Sequence, residues 1–368
     1  MSFSSGGRLN GWMGAVVSVS LLAACGAPDE RAGETPTAGE SARDAVAGDV
    51  AVKLSVPSQS YAAREGVNVQ VTLTNVSRDT VRVLKWHTPT DGIKEDLFQV
   101  TVDGQKAEYN GRHYKWATPA TTDFLRLAAG ESVSYTVDLA TLYDFAKTGS
   151  YSIRYDSEGH HSDEGHQGLS QLASDSLSVF VEGRPFQPPV AWGNDTVSAQ
   201  ALSTSSCTGS RPASTVSTAF TTAQSMTNGA VNYLNGTIGQ RYTTWFGTNT
   251  ATNVATIRSH FAAIKNAFDT KNVVVDCACT DSAYAYVYKN GHYRIYVCNA
   301  FWSAPMSGTD SKGGTLVHEM SHFTVVADTD DHAYGQSACR SLATSNSARA
   351  RDNADSHEYF AENTPALP

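Results

Sequence analysis

The sequence is short of positive charge and of long apolar runs. Lysine and arginine number 27 against 36 aspartates and glutamates, a net charge of −9. Nucleic acid is therefore a poor partner, because phosphate backbones call for basic faces. Only 17% of residues are charged, and neither glycine with proline nor glutamine with asparagine is in excess. That composition is globular rather than low-complexity. The apolar run from Gly14 to Ala24 is too short to cross a bilayer. Lysine is missing altogether between Lys147 and Lys265. Cysteines are few; apart from Cys25, all of them (Cys207, Cys277, Cys279, Cys298 and Cys339) lie in the C-terminal half. They lack the paired spacing of a four-cysteine zinc site.

What is present begins with an address. Arg8 ahead of the apolar run reads as a secretory signal over residues 1–25. The run closes on Leu22-Ala23-Ala24-Cys25, which resembles a bacterial lipobox. That resemblance implies a lipid on Cys25, outer-membrane sorting because Gly26 follows, and no other membrane contact. An exported chain can keep disulfides. Cys277 and Cys279 are too close in sequence to share a partner, so Cys207 and Cys298 are their candidates and Cys339 is left as a buried thiol. Residues 26–49 are small, polar and proline-containing, and are expected to be a disordered tether.

From residue 50 to 182 the periodicity is two. Val67, Val69, Val71 and Leu73 alternate with polar residues, as do Val133, Tyr135, Val137 and Leu139. Several such strands between Gly, Asn and Asp turns predict an antiparallel, immunoglobulin-like β-sandwich. His160, His161 and His166 fall in a polar stretch read as a solvated loop. Residues 183–203 hold three prolines and are expected to be a linker. Residues 204–368 are mainly helical, with a β-like piece where Tyr284, Tyr286 and Tyr288 alternate. The chain is thus expected to be multidomain, a β-sandwich followed by an α+β domain.

The chemistry concentrates at His318-Glu319-Met320-Ser321-His322. On a helix, positions i and i+4 share a face, so both imidazoles reach one metal ion and Glu319 sits beside its open position. A catalytic zinc needs a third protein ligand. A metzincin would place a glycine and a histidine three and six residues after His322, where Val325 and Asp328 stand. A gluzincin would draw on Glu358 or Glu362. The acid-rich turn Asp328-Thr329-Asp330-Asp331 follows instead, and spacing alone leaves its three carboxylates equivalent.

HEMSHF followed by Thr329, Asp331, Tyr334 and Gly335 resembles the aspzincin signature of the deuterolysin family. The resemblance implies Asp331 as third zinc ligand, Tyr334 as transition-state hydrogen-bond donor, and one zinc ion per catalytic domain. The family's usual glycine before the threonine is Asp328 here. RYTTWFG (241–247), NAFWSAPMSGTDS (299–311) and NADSHEYFAENTP (353–365) further resemble the peptidyl-Lys metalloendopeptidases. That likeness implies disulfides Cys207–Cys277 and Cys279–Cys298, Asp355 and Glu358 as acids binding a substrate lysine, and a zincin-like catalytic domain over 204–368. It also makes the N-terminal sandwich a pro-domain. His357, between the two acids, reads as packing or hydrogen bonding.

The expectation is a secreted zymogen cutting proteins on the amino side of lysine, with peptides and its own pro-domain as partners. The rivals are a broad deuterolysin-like protease and a non-catalytic surface protein with a degenerate protease domain. Because the junction holds no lysine, maturation between about Trp192 and Ser206 requires another protease or relaxed self-cleavage.

Overall fold

A computed structural model describes residues 42–157, 172–188 and 201–368. Cys25, most of the expected tether, the three loop histidines and most of the expected maturation segment lie outside the described residues.

The N-terminal region is built on β1 (Arg43–Asp44), β2 (Val50–Ser55), β3 (Asn68–Asn75), β4 (Val81–Leu84) and β5 (Phe98–Val102). It continues with β6 (Arg112–Lys115), β7 (Phe124–Leu127), β8 (Ser132–Asp138), β9 (Gly149–Ser157) and β10 (Leu177–Val181). Alternation works as expected: Val67, Val69, Val71 and Leu73 are fully buried, while Gln70 points out. β3 lies between β8 and β2, and β9 between β10 and β5. A third sheet runs β1-β4-β7. All pairings in these sheets are antiparallel except β1 with β4 and the short strand Ser60–Tyr61 with β10. The expected tether is therefore too long by several residues. Arg43 is pinned by Asp49 at 2.6 Å and Asp79 at 2.9 Å, and Ala45 is buried in the core.

The C-terminal region opens with β11 (Ala201–Ser205), whose first three residues fall in the expected linker; it pairs in parallel with β12 (Asn272–Asp276). Between them lie α1 (Ala213–Asn235), α2 (Gln240–Phe246) and α3 (Ala251–Thr270). β13 (Ala285–Tyr288), β14 (Arg294–Val297), α4 (Lys312–His322), α5 (Gln336–Ser345) and α6 (Ala354–Glu362) complete it. Val216, Ala219, Phe220, Ala223, Ala230 and Leu234 on α1 pack with Ile257, Phe261, Ile264 and Phe268 on α3, the stripe that a 3.6-residue period produces.

The two regions are not separate in hydrogen bonding. The C-terminal sheet runs β11-β12-β14-β13-β6, so its last strand comes from the N-terminal region. β6 pairs antiparallel with β13, Lys115 opposite Ala285 and Arg112 opposite Tyr288. This explains why all four residues of β13 are buried. Trp86, Tyr114, Trp116, Tyr286 and Tyr288 form a shared apolar cluster. Trp116 stacks on Trp86 at 4.2 Å and on Tyr114 at 4.7 Å between centroids. Its indole N–H donates to Glu95 at 2.8 Å.

Trp116→Ala removes a buried indole from that cluster. Urea unfolding of the full chain should show a loss of about 3–5 kcal/mol; a loss below about 1 kcal/mol would mean the cluster does not join the regions.

Candidate active site

Every residue of α4 is buried. A helix without a solvated face must satisfy its polar side chains inside the protein. Ser311 caps it, its Oγ accepting from Gly314 N at 2.9 Å. α4 packs on α1, α3 and α6 and against β6, β13 and β14.

The two histidines of α4 meet one turn apart. His322 Nδ1 is 2.7 Å from the Thr329 carbonyl oxygen, and His318 Nδ1 is 2.8 Å from Asp355 Oδ1. These acceptors draw the ring protons to Nδ1 and leave each Nε2 as a lone pair. The two Nε2 atoms nevertheless face each other at 3.1 Å. Asp331 joins them, Oδ1 3.3 Å from His318 Nε2 and Oδ2 3.3 Å from His322 Nε2. Three electron-rich groups converging this closely require a cation. Ligands on one tetrahedral zinc stand roughly 3.3 Å apart, which is the spacing found. With no metal, a proton must fill the gap: burial opposes charge on His318, but Asp331 and Asp355 outweigh it and push it up to about 10. The donor set of two imidazoles and one carboxylate thus fits zinc.

Glu319 lies beside this point. Both of its carboxylate oxygens are buried with no hydrogen-bond partner among the described residues, and burial pushes the group up to about 7. Asp331 is delivered by the turn after α4. Asp328 adopts φ +53°, the left-handed region where a glycine is favoured and which aspartate tolerates. The substitution therefore leaves the turn intact. Asp330 is taken by Lys289 at 3.0 Å; burial works against its charge, but Lys289 prevails and holds it at about 2. Asn353 Oδ1 accepts from His332 N and Ala333 N at 2.8 and 2.9 Å, fastening the turn to α6. Of the three acids that spacing left equivalent, Asp331 alone faces the imidazoles.

Asp355 and Glu358 share one face of α6 and meet a cation that sequence reasoning did not single out. Lys115, on β6, lies 1% exposed with Nζ 2.9 Å from Glu358, 3.3 Å from Asp355 and 3.2 Å from Asp310. Burial opposes its charge, yet the three carboxylates hold its pKa well above the usual lysine value. Tyr359 donates to Asp310 at 2.7 Å. One residue earlier on β6, the Tyr114 carbonyl oxygen accepts from the Tyr334 hydroxyl at 2.6 Å. A cleft of about 520 Å³ opens alongside, lined by Glu95, Tyr109, His113, Asp331 and Tyr334 from both regions.

The other sequence candidates fall out of the metal face. Glu358 approaches His318 from its Nδ1 edge, at 3.6 Å, and not from the Nε2 edge. Glu362 accepts from Ser311 N and Oγ at 2.8 and 2.7 Å. His357 bonds the Asn353 carbonyl oxygen and His260. Disulfides join Cys207 to Cys277 and Cys279 to Cys298, and Cys339 is a buried free thiol. Asp355 has a part that sequence reasoning missed: it orients His318 as well as facing Lys115, while accepting from Gly335 N at 2.8 Å. Asp310, Lys115 and His113 were missed too; only Asp310 lay in a segment that carried a signal.

The aspzincin family model, described as lysine-specific metallo-endopeptidase, matches residues 233–362. An extracellular protease of Aeromonas hydrophila is 40% identical, over 82% of this chain and 89% of that protein. A peptidyl-Lys metalloendopeptidase of Armillaria mellea is 38% identical, over 82% of this chain and 88% of that protein. More distantly, a neutral protease 2 homologue of Phaeosphaeria nodorum is 26% identical, over 83% of this chain and 89% of that protein.

A methyl group at Gly314 would meet Glu362 Oε1 at 2.1 Å and Glu358 Oε1 at 2.9 Å. Gly314→Ala should therefore lower stability by about 1–3 kcal/mol, read as a fall in the thermal midpoint. An unchanged midpoint would show that the two glutamates are free to move.

Proposed function

The chain belongs to the aspzincin family of zinc metalloendopeptidases, and from that premise we propose that it cuts proteins on the amino side of lysine and is folded here as its latent form. The observation that carries the proposal is the placing of Tyr114 and Lys115. Extended β6 adds to β13 as a bound peptide adds to a sheet edge. Its lysine fills a pocket of three acids while the carbonyl just before that lysine rests on Tyr334. A substrate in the same place would present the bond between those two residues to Glu319.

In this reading His318, His322 and Asp331 hold zinc. Once bound, the ion supplies Lewis acidity to the attacking water and to the scissile carbonyl. Glu319, unpaired and pushed up by burial to about 7, takes the water's proton and returns it to the departing amine. The Tyr334 hydroxyl donates to the oxygen that gains negative charge. Asp355 and Glu358, with Asp310 at the rim, select a cation, because buried carboxylates left unpaired are costly.

The N-terminal β-rich region is then a sandwich-like pro-domain, and export is consistent with the two disulfides. A broad specificity, as the neutral protease 2 homologues suggest, is disfavoured by the three carboxylates gathered on one ammonium.

Mass spectrometry of a denatured protein digested by the processed enzyme should yield peptides beginning with lysine. Glu358→Gln should lower kcat/KM for lysine substrates about a hundredfold, a loss of about 3 kcal/mol, with zinc content kept. Asp331→Ala should empty the site of metal. Products without N-terminal lysine would end the specificity claim, and full zinc in Asp331→Ala would end the ligand assignment.

A further inference from the structure

His113 is used by nothing described so far. It lies on β6 two residues before Lys115, and side chains two apart on a strand share a face. Lys115 enters the acid pocket beside His318, so His113 is carried towards His322. The two imidazoles stand 5.3 Å apart between centroids, close to the 4.8 Å that separates His318 from His322. A ring nitrogen of His113 lies within 4.8 Å of ligand atoms of both His322 and Asp331. Its Nε2 is buried without a hydrogen-bond partner among the described residues. Ligands on one tetrahedral zinc are roughly 3.3 Å apart, so only a short swing separates His113 from coordination.

We infer that in the latent chain His113 is the fourth zinc ligand, occupying the position that the attacking water takes in the processed enzyme. The inference rests on the zinc assignment to His318, His322 and Asp331. A zinc site with four protein ligands is structural and inert, whereas three ligands and an open position make a catalytic one. This answers a question raised by β6 itself. A strand with its lysine in the pocket and its carbonyl on Tyr334 is laid out as a substrate, yet it belongs to the enzyme's own folded chain. With an imidazole on the metal there is no place for the water that Glu319 would activate. The three anchors lie on consecutive residues: His113 on the metal, the Tyr114 carbonyl on Tyr334, Lys115 among the acids. Withdrawal of β6 opens all of them at once.

The test uses full-length chain carrying Glu319→Gln, so that it stays whole, loaded with zinc and studied by X-ray absorption. Three imidazoles on the metal are expected in this parent, and two after adding His113→Ala. Zinc removal by a chelator should become about tenfold faster or more in the doubly substituted chain. Two imidazoles in the parent would overturn the inference while leaving the zinc assignment standing. A parent that binds no zinc would overturn the assignment itself. Because the parent's count decides, failure of the His113→Ala chain to fold does not blunt the test; His113→Gln serves as the second variant.

Discussion

A buried excess of carboxylates governs this molecule. Asp331, Glu319, Asp355, Glu358 and Glu362 all cluster around α4, with Asp310 at the edge. Negative charge gathered in a medium of low dielectric must meet positive charge or take up protons. The Lys115 ammonium meets the need among Asp355, Glu358 and Asp310, and under the proposed reading a metal ion would meet it between Asp331 and the paired imidazoles. Asp355 links them, touching His318 on one side and Lys115 on the other. If the proposed function holds, metal affinity and lysine selection would share this residue, and a change there would disturb both.

β6 turns this electrostatic demand into architecture. It is contributed by the N-terminal region yet completes the C-terminal sheet. Its outer face carries Arg112 and Tyr114 into an aromatic cluster with Trp116, Tyr286 and Tyr288, and its inner face carries His113 and Lys115 to the site. Backbone pairing, aromatic stacking and charge thus fix a single register. A slip by one residue would exchange the two faces, burying Tyr114 where an ammonium is required.

Much of the site could be read in the sequence because it is local. His318 and His322 are one helical turn apart, and Asp355 and Glu358 likewise, so a helical period suffices to pair them. Choosing Asp331 over Asp328 and Asp330 needed the family pattern; in the structure both of the others are drawn to the Lys289 ammonium, away from the imidazoles. The strands of the N-terminal region followed from alternation. What could not be read were contacts between distant segments. Lys115 meets Asp355 across 240 positions, and nothing in its neighbourhood marks it from other lysines. The expected linker runs three residues into β11 and the expected tether includes Arg43–Asp44, since short strands at sheet edges carry too few residues to show a period.

The covered edge of β13 carries a consequence for what the enzyme accepts. Were β6 to depart, as the proposed latency requires, a row of backbone donors and acceptors beside Tyr286 and Tyr288 would be bared. Only a chain that offers its own unspent backbone could then settle there, so a lysine held in a helix or an inner sheet would be out of reach. Under the proposed function, target choice would then be governed twice, by the side chain that the acids admit and by how readily a stretch of the victim protein comes undone.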